Sequence, residues 1–204
     1  MKIGSVRRMA AALAVVALGY GFTAQGAPAV DAPAVAADAQ SAAWTPKELR
    51  FIYQGFTTHY SCDGLREKVR TVLLALGAAK QDLSVNELAC STPAGRPDPF
   101  PGVNIKMQVL QPVAAGTIPA ATRVAAHWKA VDLRLDRDPL AESGDCELLE
   151  QIKRSILPLF STRNVEYSSN CVPHELSAGG TRLRVEVLMS DAPDTDAAAA
   201  AAAH

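Results

Sequence analysis

The chain has 204 residues, of which 49% are hydrophobic and 20% charged, with 20 basic against 21 acidic side chains. That balance excludes a highly charged disordered chain. It also excludes a strongly basic nucleic-acid binder, which needs a clear excess of Lys and Arg for its phosphate contacts.

In chain order, residues 1–26 read as an export signal. Lys2, Arg7 and Arg8 precede an uncharged apolar run, Met9 to Phe22, and Ala24-Gln25-Gly26 offers small residues for cleavage. The run is short of the roughly 20 residues of a membrane span, so no stable span is expected once the signal is gone. Residues 27–43 are rich in Ala and Pro and read as a linker. Residues 192–204 read as a flexible Ala-rich tail, because seven alanines are too few for an isolated helix. Between these ends, Trp44 to Asp191 holds 17 basic and 17 acidic residues. Such a core has no net field to steer a polyanion.

Strands are expected over Leu49–Ser61, Leu83–Leu88, Val103–Leu110, Val124–Leu135, Val165–Ser169 and Thr181–Met189. Ile105, Met107 and Val109 alternate with polar neighbours, and so do Leu183, Val185 and Val187, the mark of strands with one wet face. Helices are expected over Asp63–Ala78 and Asp145–Leu159. Leu65, Val69, Val72, Leu73 and Leu76 recur at helical spacing. Gly77 suits a helix end, Asp145 a helix start, and Pro158 a kink or stop.

The halves match. Counted from Cys62 and Cys146, Leu65, Val72, Leu73 and Leu76 fall on Leu149, Ile156, Leu157 and Phe160, and Gly102–Leu110 aligns without a gap on Gly180–Leu188. The expectation is an α+β domain over 44–191, made of two β-α-β-β repeats (44–112 and 122–191). They would pack as a two-layer sandwich of about six strands and two helices.

An even cysteine count in an exported chain reads as disulfides. A parallel crossover brings the helix start back to the edge where the next strand ends. Cys62 is therefore expected to pair with Cys90, and Cys146 with Cys171, one bridge per repeat. No Cys-x-x-Cys or close Cys/His cluster points to redox or zinc chemistry.

Catalytic signals are sparse. There is no nucleophile elbow, phosphate loop, His-Glu-x-x-His or dinucleotide fingerprint. His59, His127 and His174 are candidate ligands or bases if the fold brings them together. Asp136, Asp138, Glu142 and Asp145 form an acidic loop that lacks the order of a calcium loop. His59 and Ser61, two apart on the expected first strand, would share a face. Trp44, Phe51, Tyr53, Phe56 and Trp128 supply aromatic area for a core, or for a binding face where exposed.

The string Phe56-Thr-Thr-His-Tyr-Ser-Cys62-Asp-Gly-Leu65, with Asp145-Cys-Glu-Leu148, resembles uncharacterised exported bacterial proteins with Cys-paired duplicated βαββ units. The resemblance implies no activity. The expected function is a non-catalytic periplasmic or secreted binding module without a cofactor. Its partner would be an envelope protein or a small ligand, met through the exposed sheet face or the loops at the cysteine edge. Two alternatives are a small hydrolase or metal-dependent enzyme using His59, His127 or His174, and a protein inhibitor presenting loop 91–101. That loop is rich in proline and so partly pre-organised.

Overall fold

The computed structural model describes residues 40–88, 90–114, 117, 119–134, 145–172, 174–175 and 181–190. The expected signal, most of the linker, the acids Asp136, Asp138 and Glu142, and the tail lie outside them. All described residues belong to one compact unit, Val35–His204.

The elements are β1 (Gln40–Ile52), α1 (Cys62–Ala75), β2 (Ser84–Leu88), β3 (Gly102–Pro112), β4 (Val124–Arg134), α2 (Asp145–Gln151), β5 (Thr162–Ser168) and β6 (Arg182–Ser190). One six-stranded antiparallel sheet has the order β2-β3-β1-β4-β6-β5. β1 and β2 both pair antiparallel with β3, so they run parallel with β3 between them. β4 and β5 stand in the same relation to β6. The two trios meet where β1 and β4 pair, over Gln40↔Ala126, Ser41↔Ala125 and Ala42↔Val124.

α1 follows from its apolar stripe and its caps. Leu65, Val69, Val72 and Leu73 are fully buried, each contributing about 1.5–3 kcal/mol by burial. Ser61 caps its start by accepting from the Gly64 amide at 3.2 Å. Gly77, at φ 86°, closes its end. Gly77 donates to Leu74 and Ala78 to Leu73, the paired bonds of a Schellman motif. α2 continues through a π turn (Ile152–Ile156) and a 3-10 turn (Leu157–Leu159), which contains Pro158. The helix therefore stops where a proline ends its bonding.

Leu149, Ile156, Leu157 and Phe160 are buried like Leu65, Val72, Leu73 and Leu76. Both helices share one buried cluster with Phe51, Ile105, Leu133 and Leu183 of the sheet. On the other face of the strands, Ala42, Leu110, Ala126 and Leu188 form a smaller cluster with Trp44, Val124 and Trp128.

The first strand corrects the sequence expectation. β1 spans Gln40–Ile52, not Leu49–Ser61, and takes in the last four residues expected as linker. Ala42 is fully buried beside the β1–β4 junction, packed in the smaller cluster on the sheet face, where a larger side chain would crowd its neighbours. Tyr53 to Tyr60 is a loop. At Gly55 any Cβ would lie 1.9 Å from the Tyr53 hydroxyl, so the chain turns over the ring only because no side chain is there. Ser61 then starts a helix, and the expected shared strand face of His59 and Ser61 does not exist.

Candidate functional site

Two disulfides, Cys62–Cys90 and Cys146–Cys171, leave no free cysteine. Each joins the start of a helix to the chain just after the following strand. Such bonds fit an oxidising setting outside the reducing cytosol. Among the described residues, no helix is long and apolar enough to cross a membrane.

The loops beside these bridges are held by carboxylates. In each helix one first-turn acid accepts from the backbone of a loop. In α1, Asp63 Oδ1 accepts from the Gly95 amide at 3.1 Å, and this bond is the first cause that lowers its pKa. In α2, Glu147 Oε2 accepts from the amides of Phe56 at 2.8 Å and Thr57 at 3.0 Å. Glu147 also accepts from the Thr57 and Tyr53 hydroxyls, at 3.1 and 3.3 Å. One turn on, the Gln151 amide grips Gln54 at both ends. Its Oε1 accepts from the Gln54 N–H at 3.1 Å and its Nε2 donates to the Gln54 carbonyl at 2.7 Å. Asp145 accepts from the Tyr60 hydroxyl and from Lys68 Nζ at 2.9 Å. Asp145 is thus buried with an ion pair to Lys68, and Glu147 is buried with its oxygens met by amide and hydroxyl donors. Burial, and then Glu147, push the Tyr53 phenol above its ordinary range.

Loop 91–101 has its own organiser. Asp98 accepts from the Ser91 amide and hydroxyl at 2.9 and 2.7 Å, from the Thr92 amide at 3.2 Å and from the Phe100 amide at 3.1 Å. These bonds, led by the Ser91 hydroxyl, hold its carboxyl at about 2, below the usual 3.8. Pro93 to Arg96 closes a turn with Gly95 at φ 79°, a conformation open to glycine at no steric cost.

The loops at this edge and the end of β1 carry apolar side chains into solvent. Ile52, Phe56, Phe100 and Val172 are 39%, 63%, 66% and 47% exposed. Val165 on β5 is the one other exposed large hydrophobic among the described residues, so the apolar exposure is concentrated at the cysteine edge. Phe56 meets the His174 ring at 5.2 Å between centroids, and the His174 amide donates to Thr57 Oγ1. The Tyr53 amide donates to the Pro101 carbonyl, which joins the end of β1 to the loop bearing Phe100.

The remaining sequence candidates are dispersed. His59 and His174 are exposed at this edge. His127 lies on β4 opposite Met189. Among the described residues, no three His, Cys, Asp or Glu side chains gather as a metal site. The Ser61 hydroxyl is engaged as a helix cap, not held by His59. Of the five aromatic candidates, Phe51 and Tyr53 are core, Trp44 and Trp128 are half-buried in the smaller cluster, and Phe56 is exposed. No family model, curated protein or solved structure matches the chain.

Proposed function

We propose that this protein is an exported, non-catalytic binding module of the bacterial envelope that docks a partner protein through its cysteine edge. One observation carries the reading: Phe56 and Phe100 stand exposed on loops that Glu147, Asp63 and Asp98 hold in place. Rigid aromatic anchors on pre-ordered loops lower the entropy cost of binding. The test compares the native chain with Phe56→Ala/Phe100→Ala as bait in periplasmic extract of the source organism. Retention of a partner that the double variant loses, with both proteins equally stable, supports docking. Equal retention by both overturns it.

The second reading is a protein inhibitor presenting loop 91–101, favoured by the Asp98 network that stiffens that loop. It does not act in a substrate-like way at Arg96. The Arg96 carbonyl accepts from Thr92 Oγ1 at 3.2 Å, and Pro97 follows it. A protease panel left fully active by the mature chain counts against this reading.

The framework is proposed to be a duplicated βαββ unit packed as two layers. The shift of 84 that carries Cys62 to Cys146 also carries Trp44 to Trp128 and Ser41 to Ala125. Trp44 faces Leu110 as Trp128 faces Leu188. Ser41↔Ala125 is the middle pair of the β1–β4 ladder, so this shift maps that ladder onto itself, as a pseudo-twofold axis requires.

A further inference from the structure

Backbone groups along a strand alternate in direction, so one strand's odd and even positions serve opposite neighbours. In β1 the odd positions serve β3. The Ser41 carbonyl accepts from the Val113 amide and the Tyr53 amide donates to the Pro101 carbonyl, both on the β1–β3 register. The even positions therefore turn away from β3. Gln40 and Ala42 turn toward β4, and Gln54 toward the Gln151 amide. Between these points β1 has no second strand among the described residues, because its pairing with β4 ends at Ala42.

Trp44, Pro46, Glu48, Arg50 and Ile52 thus present backbone groups on an open edge. Among the described residues nothing pairs with those groups. Pro46 agrees with this, since a proline fits a strand where its missing N–H would face solvent. Pro46, Glu48, Arg50 and Ile52 are all exposed. The charges along the edge are uneven. Glu48 is paired with Lys106 at 3.0 Å. Arg50 lies opposite the neutral Asn104 and has no acidic partner among the described residues.

We propose that the β1 edge from Glu48 to Ile52 is a peptide site, which takes an extended polypeptide segment of a partner as an added strand, with an acidic residue beside Arg50. Main-chain groups on an unpaired edge recognise another main chain, and the side chains beside them select its sequence. The Gln151 side chain already does the first of these at Gln54, one step beyond the edge. The site lies outside the exposed aromatic pair, so the Phe56→Ala/Phe100→Ala protein keeps it. Failure of one proposal leaves the other standing.

The experiment is amide hydrogen exchange and titration on the full mature chain. The probe is the synthetic peptide Thr-Val-Thr-Val-Asp-Val-Thr-Val-Thr, with a Lys-for-Asp peptide as control. In the free protein, Glu48, Arg50 and Ile52 amides should exchange at least about tenfold faster than those of Lys47, Leu49 and Phe51, since unpaired exposed amides are poorly protected. The Asp peptide should slow the first set and leave the second unchanged. The native chain should prefer the Asp peptide, and Arg50→Glu should reverse that preference. Glu48→Pro removes an edge donor but no bond to β3, so it should lose peptide binding with its cysteine pairing and circular dichroism retained. If Glu48→Pro does not fold, Arg50→Glu alone decides. Protection of the even amides in the free protein means that a segment of this chain covers the edge, and overturns the proposal. So does a titration in which neither peptide protects them.

Discussion

Glu147→Ala is the most informative single change. The carboxylate is 6% exposed and accepts from two amides and two hydroxyls. A hydrogen bond to a charged group contributes about 1.5–3 kcal/mol, and a buried donor left unmet costs about 1–3 kcal/mol. Water can reach the half-exposed Thr57 groups and the amide of exposed Phe56 once the carboxylate is gone. It cannot easily reach the Tyr53 hydroxyl, on a residue 1% exposed. The loss should therefore be about 3 kcal/mol, well below the sum of four charged bonds. Glu147→Gln keeps the shape and one acceptor, and should lose about half as much. The assay is urea unfolding with both disulfides intact, where an unchanged slope shows that the midpoint shift reports stability alone. Combining Glu147→Ala with Tyr53→Phe should recover about 1 kcal/mol, because the orphaned hydroxyl is then absent. A loss under about 0.5 kcal/mol, typical of a surface change, with Phe56 and Thr57 amides unmoved in NMR spectra, would refute this clasp of Glu147 on the loop after β1.

Other outcomes follow from the same contacts. Asp98, at about 2 against an ordinary 3.8, steadies loop 91–101 above the ordinary value and loses that effect as pH falls through the folded one. The Ser91 and Phe100 amide signals should then titrate together near pH 2, and a common midpoint near 4 would contradict this. Tyr53 has the opposite sign. Its phenol is raised above 10.0, so its stabilisation is present below that value and lost as pH rises beyond it. Tyr53→Phe should therefore flatten the alkaline loss of stability, read from unfolding midpoints between pH 9 and pH 11. Removing the bridge with Cys62→Ser/Cys90→Ser, a separation of 28 residues, should cost about 3–4 kcal/mol in the chain-entropy estimate. Thermal unfolding of that variant within a degree of the native chain would contradict it. Leu65→Ala and Leu149→Ala, both fully buried, should each cost about 2–5 kcal/mol in denaturant. A negligible cost at Leu149 alone would show that the two helices are not equivalent in the core.

The legible parts of the fold were those with local signals. α1 was readable from its apolar spacing and Gly77, and β3 and β6 from alternation. β1 was misplaced because its start, Gln40-Ser-Ala-Ala43, resembles a linker in composition. Ala42 is chosen for its smallness at a strand junction, and smallness carries no strand signal. The loop after β1 misled in the other direction. Tyr53, Phe56, Thr57, Thr58 and Tyr60 all favour strands, yet Gly55 folds the chain over the Tyr53 ring. The clasp was illegible for a different reason. Glu147 and Gln151, one turn apart, read as a helix's wet face. They are buried because a loop about 90 residues earlier lies on them, and no local pattern contains that contact.

The proposed repeat also separates what the halves share from what each uses alone. The shift of 84 pairs Leu49 with Leu133, Glu48 with Asp132 and Arg50 with Arg134, so core and ladder positions agree in kind. It also pairs Asp63 with Glu147. Each is a first-turn carboxylate that accepts from a loop amide at the cysteine edge. Their reach differs. Asp63 holds Gly95 of its own half, whereas Glu147 holds Phe56 and Thr57 of the other. The longer glutamate makes the two halves interdependent at the edge that displays Phe56. Pro46, by contrast, falls on Ala130. Pro46 takes one donor from the open β1 edge, outside the proposed Glu48–Ile52 segment, and Ala130 takes none from its counterpart. Ala130→Pro should then be tolerated if the two edges are equally open, because its amide would turn away from β6 as that of Pro46 turns from β3. A loss of several kcal/mol, as when a proline removes a bond that was made, would show that the equivalent edge on β4 is already paired.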